Sequence, residues 1–143
     1  MSREYPERPI VGVLAVVRRA DRVLIVQRAI APMAGRWGFI GGVQELGETT
    51  GEGAVRELLE ETGVIAEPVG PLTVLDVVNH DDDGRVKTHY TLVAVLAEWR
   101  SGEPTRDADA LDIGWFTPEE AEQREMPMFP STVRIMRLAL AHP

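Results

Sequence analysis

The segment from Gly42 to Val64 constrains this chain more than any other, because it sets a helix between two glycine-containing loops and loads one side of it with acid. Thr49-Thr50-Gly51-Glu52 has the Thr-x-x-Glu form of a capping box, and Gly63 stands where a helix usually stops, so a helix is expected over Thr49–Thr62. On a wheel turning about 100° per residue with Glu57 at zero, Glu61 falls near 40° and Glu60 near 300°. The three carboxylates therefore share one arc of roughly 100°. Ala54, Val55, Leu58 and Leu59 fall between about 60° and 200° and form the expected core-facing stripe.

Like charges at this spacing repel by a few tenths of a kcal/mol per close pair, and on an arbitrary helix the ordinary explanation is a solvated acidic face. Here the neighbours tilt the balance. Arg56 offers the local compensation, one turn before Glu60. Gly51 and Gly53 each cost the helix about 1 kcal/mol relative to alanine, so the expectation is that Gly53 leaves room for a ligand beside the acids. Carboxylate oxygens converging on an open site suit Mg²⁺ or Mn²⁺ bound together with substrate phosphates.

The net charge of −8 is consistent with that chemistry and argues against general nucleic-acid binding. An acidic site holds phosphates only where cations bridge the two. The chain has no cysteine, which excludes disulfides and thiolate metal sites. With 44% apolar and 27% charged residues over 143 positions, one soluble domain spanning 1–143 is expected. The first residues lack the apolar core of a secretory signal, and the apolar stretch around Ile10 to Val17 is too short to span a bilayer. A cytoplasmic protein with no membrane partner is the expectation.

Around the acidic helix, strands are expected at Pro9–Arg19, Val23–Val26, Pro71–Val78, Arg85–Glu98 and Leu111–Phe116. Ala20-Asp21 reads as a tight turn, and Asn79 to Gly84 as a hairpin connection. Ile30 to Gly42 is punctuated by glycine and reads as part loop, part short strand. Thr117-Pro118-Glu119-Glu120 opens a capped helix, and a last helix is expected from Ser131 to about Ala141. This mixture implies one sheet covered by helices, an α/β layered domain.

Gly42, five residues, Glu48, seven residues, then Arg56-Glu57-Leu58-Leu59-Glu60-Glu61-Thr62-Gly63-Val64 resembles the Nudix box at every specified position. At ordinary residue frequencies a chance match in such a chain is on the order of one in ten million. Val23 to Arg28 with Gly35 to Phe39 upstream, and Asp109 to Phe116 with its following helix downstream, are similar to the same family, the downstream segment most resembling its small ADP-ribose pyrophosphatase-like branch. The resemblance implies an α/β/α sandwich with a mixed sheet between helices. It implies metal ligands at Glu57, Glu60 and Glu61, with Glu48 nearby and the backbone carbonyl of Gly42 as a further ligand. Arg56 maps to the arginine that orients these carboxylates. Metal-activated water would attack phosphorus, with the general base either Glu57 or an acid outside the box, Asp109 or one of Asp81-Asp82-Asp83. Ile40 stands where the family commonly has proline, Gln44 replaces a usual aliphatic residue and Gly53 a usual alanine.

Outside the box, Arg28 and Arg36 are candidates to reach phosphates, and Phe129 to stack on a base. Trp99, Trp115 and Phe116 read as core. His80, His89 and His142 lack zinc-ligand spacing. The expected function is metal-dependent hydrolysis of nucleoside diphosphate derivatives, a small nucleotide substrate, with ADP-ribose cleaved to AMP and ribose 5-phosphate as the leading choice. Nucleoside triphosphate sanitising is the alternative, and a non-catalytic nucleotide-sensing module the reading from another class. A homodimer is among the assemblies that the resemblance allows.

Overall fold

A computed structural model describes residues 2–30 and 33–143. In chain order the elements are β1 (Ile10–Arg19), β2 (Arg22–Arg28), β3 (Trp37–Gly38), β4 (Ile40–Val43), α1 (Thr50–Thr62), β5 (Ile65–His80), β6 (Val86–Ser101), β7 (Ala110–Phe116), α2 (Pro118–Gln123) and α3 (Thr132–Ala141). The strands form one mixed sheet in the order β3-β2-β1-β6-β5, with β4 also paired to β1 and β7 to β2. The β1–β6 pairing is parallel and runs from Ile10↔Tyr90 to Arg18↔Glu98. The other pairings are antiparallel.

Alternation along β1 builds two cores from one strand, because successive side chains point to opposite faces of a sheet. Val13, Ala15 and Val17 face α1 and pack with Leu24, Ile40, Ala54, Leu58, Val64 and Val95. Val16 faces the other way and packs with Ile25, Leu96 and the α3 residues Ile135, Met136 and Ala139. The expected α/β/α sandwich is therefore present, with α1 on one side of the sheet and α3 on the other.

Two expectations need correction. β5 begins at Ile65 and β6 runs to Ser101, so the hairpin is longer than the expected strands Pro71–Val78 and Arg85–Glu98, and it takes in Pro68, Gly70 and Pro71. Register shifts between Pro68 and Gly70 and between Pro71 and Thr73 absorb them. β5 closes one edge of the strand order, the position in a sheet where proline is tolerated. The second correction concerns the buried stripe of α1, which is Gly53, Ala54, Leu58 and Thr62. Leu59 is 51% exposed, and Val55 is half-buried. A Cβ on Gly53 would lie 3.4 Å from Val13 Cγ2, so the missing side chain lets the helix settle close on β1 and turns its contact face toward the acids. Glu61, next in the chain to buried Thr62, is half-buried.

Candidate active site

The acidic helix is anchored at both ends. The Thr49 hydroxyl accepts the Glu52 N–H at 3.1 Å and the Glu52 carboxylate accepts the Thr49 N–H at 3.2 Å, completing the capping box. At the other end Gly63 takes φ 79, the left-handed conformation that glycine adopts without a Cβ penalty, and its N–H reaches the Leu59 carbonyl. The register of the carboxylates relative to β4 is thereby held from both sides.

Arg56 organises these carboxylates. Its guanidinium forks onto Glu48, with Nε–Oε2 at 2.9 Å and Nη2–Oε1 at 2.7 Å, and Nη1 donates to Glu57 at 2.9 Å and Glu60 at 3.3 Å. Nη2 also reaches the Val43 carbonyl on β4 at 3.2 Å, tying the helix to the glycine strand. The Arg56 hydrogen bonds, with an N–H from Glu45, hold the Glu48 carboxyl down at about 2. Glu48 also fills the space above Gly53, where a Cβ would come within 2.8 Å of its Oε1. The gap expected to receive a ligand is thus occupied by a protein carboxylate. Gly51 meets Pro68 of β5 instead, which makes both glycines packing devices.

Glu57 lies against Gly42, and a Cβ built on that glycine would collide with its carboxylate. The absent side chain keeps an acid beside the β4 backbone. Glu61 is the most perturbed acid of the helix. Burial first, then the charges of Glu57, Asp107, Asp109 and Glu60, push its carboxyl up to about 7, and its Oε2 is buried without a hydrogen-bond partner. An orphaned acceptor and an all-oxygen donor set fit a hard divalent cation. Among the described residues no three acids stand at ligand spacing, since Arg56 draws Glu48, Glu57 and Glu60 to itself. Glu60 is the loosest of these, with 58% of its side chain exposed.

Glu61 opens into a cleft of about 230 Å³ whose lining also includes Arg28, Phe39, Arg106, Asp107, Asp109 and Phe129. Three of the four expected substrate residues, Arg28, Asp109 and Phe129, come together there. Arg36 is not among the lining residues. Phe129 is seated by its own N–H donating to the Trp37 carbonyl at 2.9 Å, and it packs over Gly38, where a Cβ would meet its ring at 2.9 Å. Asp81 caps the β5–β6 turn by accepting the N–H groups of Asp83 and Arg85, and it accepts the Tyr5 hydroxyl at 2.9 Å. The Asp81-Asp82-Asp83 run is thus a turn that does not line the cleft holding Glu61, whereas Asp109, of the expected outside acids, lines it together with Asp107. Trp99 and Trp115 pack against the α1-side core and Phe116 against the other, as expected.

Sequence reading did not find Arg106, Asp107 or Phe39. Arg106 and Asp107 sit in a polar loop after a turn, with no periodicity or motif to single them out. Phe39 was read only as part of a glycine-punctuated approach.

Comparison with known proteins agrees with this geometry. The family model described as the NUDIX domain matches residues 6–137. A crystal structure of a MutT NUDIX hydrolase from Burkholderia pseudomallei is 33% identical and superposes with a TM-score of 0.76, over 95% of this chain and 100% of that one. An ADP-ribose pyrophosphatase from Methanocaldococcus jannaschii is 30% identical over 106 residues, 73% of this chain and 63% of the relative. The chain thus spans less than two thirds of that relative's length. A Mycobacterium tuberculosis protein provisionally named 8-oxo-dGTP diphosphatase 2 is 37% identical over 109 residues, 76% of this chain and 73% of the relative. A capped acidic helix laid against a glycine strand, a mixed sheet between helices and this breadth of match place the chain in the NUDIX family.

Proposed function

We propose that this protein is a hydrolase that cleaves the diphosphate of a nucleoside diphosphate derivative, with ADP-ribose giving AMP and ribose 5-phosphate. The observation that carries the reading is the meeting of Glu57 with Gly42 on one side and of Glu61 with an open, charged cleft on the other. Glu57, Glu60 and Glu61, together with the Gly42 carbonyl, would hold Mg²⁺ or Mn²⁺. Bound there, the cation supplies charge for the phosphoryl oxygens and acidifies a water. Arg56 keeps Glu57 and Glu60 aimed along one face and fastens Glu48 behind them. Asp109 or Glu57 takes the proton as the water oxygen bonds to phosphorus and the bridging oxygen leaves with its electron pair. Phe129 offers a ring face to a base and Arg28 a cation to phosphate.

Two facts support ADP-ribose: the likeness of Asp109 to Glu120 to that branch of the family, and the similarity to a relative named for that activity. A triphosphate also brings more negative charge to a chain that already carries −8. The relative named for 8-oxo-dGTP favours a second reading, triphosphate sanitising, since its 37% identity exceeds the 30% of the ADP-ribose relative. Paired kcat/KM measurements on ADP-ribose and a set of triphosphates that includes oxidised guanine nucleotides separate the two. ADP-ribose is expected to lead. A tenfold preference for any triphosphate replaces the first reading with the second.

A further inference from the structure

We propose that Arg106 is a substrate-binding residue of this hydrolase, gripping a non-bridging oxygen of the diphosphate from the wall of the cleft that Glu61 opens into. The proposal rests on the diphosphate reading above and holds for either class of nucleotide. Arg18, Arg19, Arg22, Arg56, Arg100, Arg124 and Arg137 all pair with carboxylates. Arg106 has two aspartates within three residues of it in sequence, both lining the same cleft, and pairs with neither among the described residues. Its guanidinium donates from Nη1 to the Ala110 carbonyl at 3.0 Å, a neutral acceptor that orients the guanidinium without neutralising it. Asp107 is engaged elsewhere, accepting the Asp109 N–H at 2.9 Å.

The loop carrying Arg106 is built onto the end of the acidic helix. Both the N–H and the hydroxyl of Thr105 donate to the Thr62 carbonyl, at 3.0 and 3.2 Å, directly after Glu61 in the chain. A second cation besides Arg28 is thus tethered one residue beyond that anchor, in a cleft that also carries the acids Glu61, Asp107 and Asp109. Such a cleft repels a diphosphate unless cations face it, and a guanidinium with donors to spare matches phosphate oxygens in geometry and charge. Arg56 cannot serve, because its donors are already taken by carboxylates and the Val43 carbonyl.

The test compares wild type with Arg106→Gln, Arg106→Ala and Arg106→Lys on ADP-ribose and on dGTP, with thermal midpoints measured alongside. Arg106→Gln removes the charge while keeping a donor for the Ala110 carbonyl. It is expected to raise KM about tenfold or more, the scale of one charge-assisted hydrogen bond, with a smaller change in kcat. Arg106→Lys should recover part of the loss, and the midpoints should stay close to wild type. KM values within twofold of wild type for Arg106→Gln overturn the proposal, as does a lowered midpoint in all three variants with KM unchanged in the folded fraction. Should dGTP prove the better substrate, the ADP-ribose reading fails while the Arg106 effect is still read on dGTP.

Discussion

At the scale of single residues, Glu57, Glu60 and Glu61 differ in what surrounds them although they share one helix face. Glu57 is pressed to a glycine and hydrogen-bonded to Arg56, Glu60 is mostly in solvent, and Glu61 is half-buried with an orphaned oxygen. None of the three fills the hydrophobic core. Glu57→Gln and Glu60→Gln are therefore expected to lower turnover by at least ~10²-fold while leaving circular dichroism and the thermal midpoint near wild type. Unfolding of the glutamine variants would instead mark this face as structural. The type and spacing of these acids were readable in the chain, but their unequal burial was not. It follows from how deeply α1 settles on β1, a distance set by Gly53 and Val13 from two separate elements.

At the scale of elements, packing and capping contribute separately to how the helices are held. Leu58 is fully buried between α1 and the sheet. Leu58→Ala should cost roughly 2–5 kcal/mol in chemical denaturation, by removing apolar contact and leaving a cavity. The glutamine variants on the opposite face should cost far less. α2 offers a pH test. Glu120 accepts the backbone N–H of Thr117 and pairs with Arg22, and these contacts hold its carboxyl below the usual glutamate value of 4.5. A carboxyl lowered in the folded state stabilises fully above its unfolded value and loses that contribution as pH falls through the folded one. The thermal midpoint of Glu120→Gln should lie below wild type at pH 7, and the gap should close as the pH is taken below about 4.5. A gap independent of pH would assign the effect to the hydrogen-bond geometry of the cap alone. Both capping boxes were legible because they are local: four consecutive residues contain the whole device.

At the scale of the whole molecule, charge dominates. A chain of net charge −8 that presents acids to a polyanionic substrate needs cations between them. Hydrolysis is expected to require added Mg²⁺ or Mn²⁺ and to vanish in excess EDTA, with recovery when metal is restored. Full activity under chelation would defeat the assignment of Glu57, Glu60 and Glu61 as ligands. The cleft is likewise a property of the assembled molecule, since its walls come from β2, β3, β4, the end of α1, the loop before β7 and the segment before α3.

What the sequence determined alone is the local grammar: a capped helix with acids at i, i+3 and i+4, strand alternation that separates two cores, and a box pattern whose chance occurrence is negligible. Each of these depends on neighbours along the chain. Tertiary structure decided what each glycine makes room for, the Glu57 carboxylate at Gly42 and the Glu48 carboxylate at Gly53. It also decided that Asp109 reaches the cleft while Asp81 caps a turn, and it brought Arg106 into the cleft that Glu61 lines, across more than forty residues of chain. Such placements depend on which surfaces meet when the sheet closes between its helices, and no periodicity along the chain encodes them.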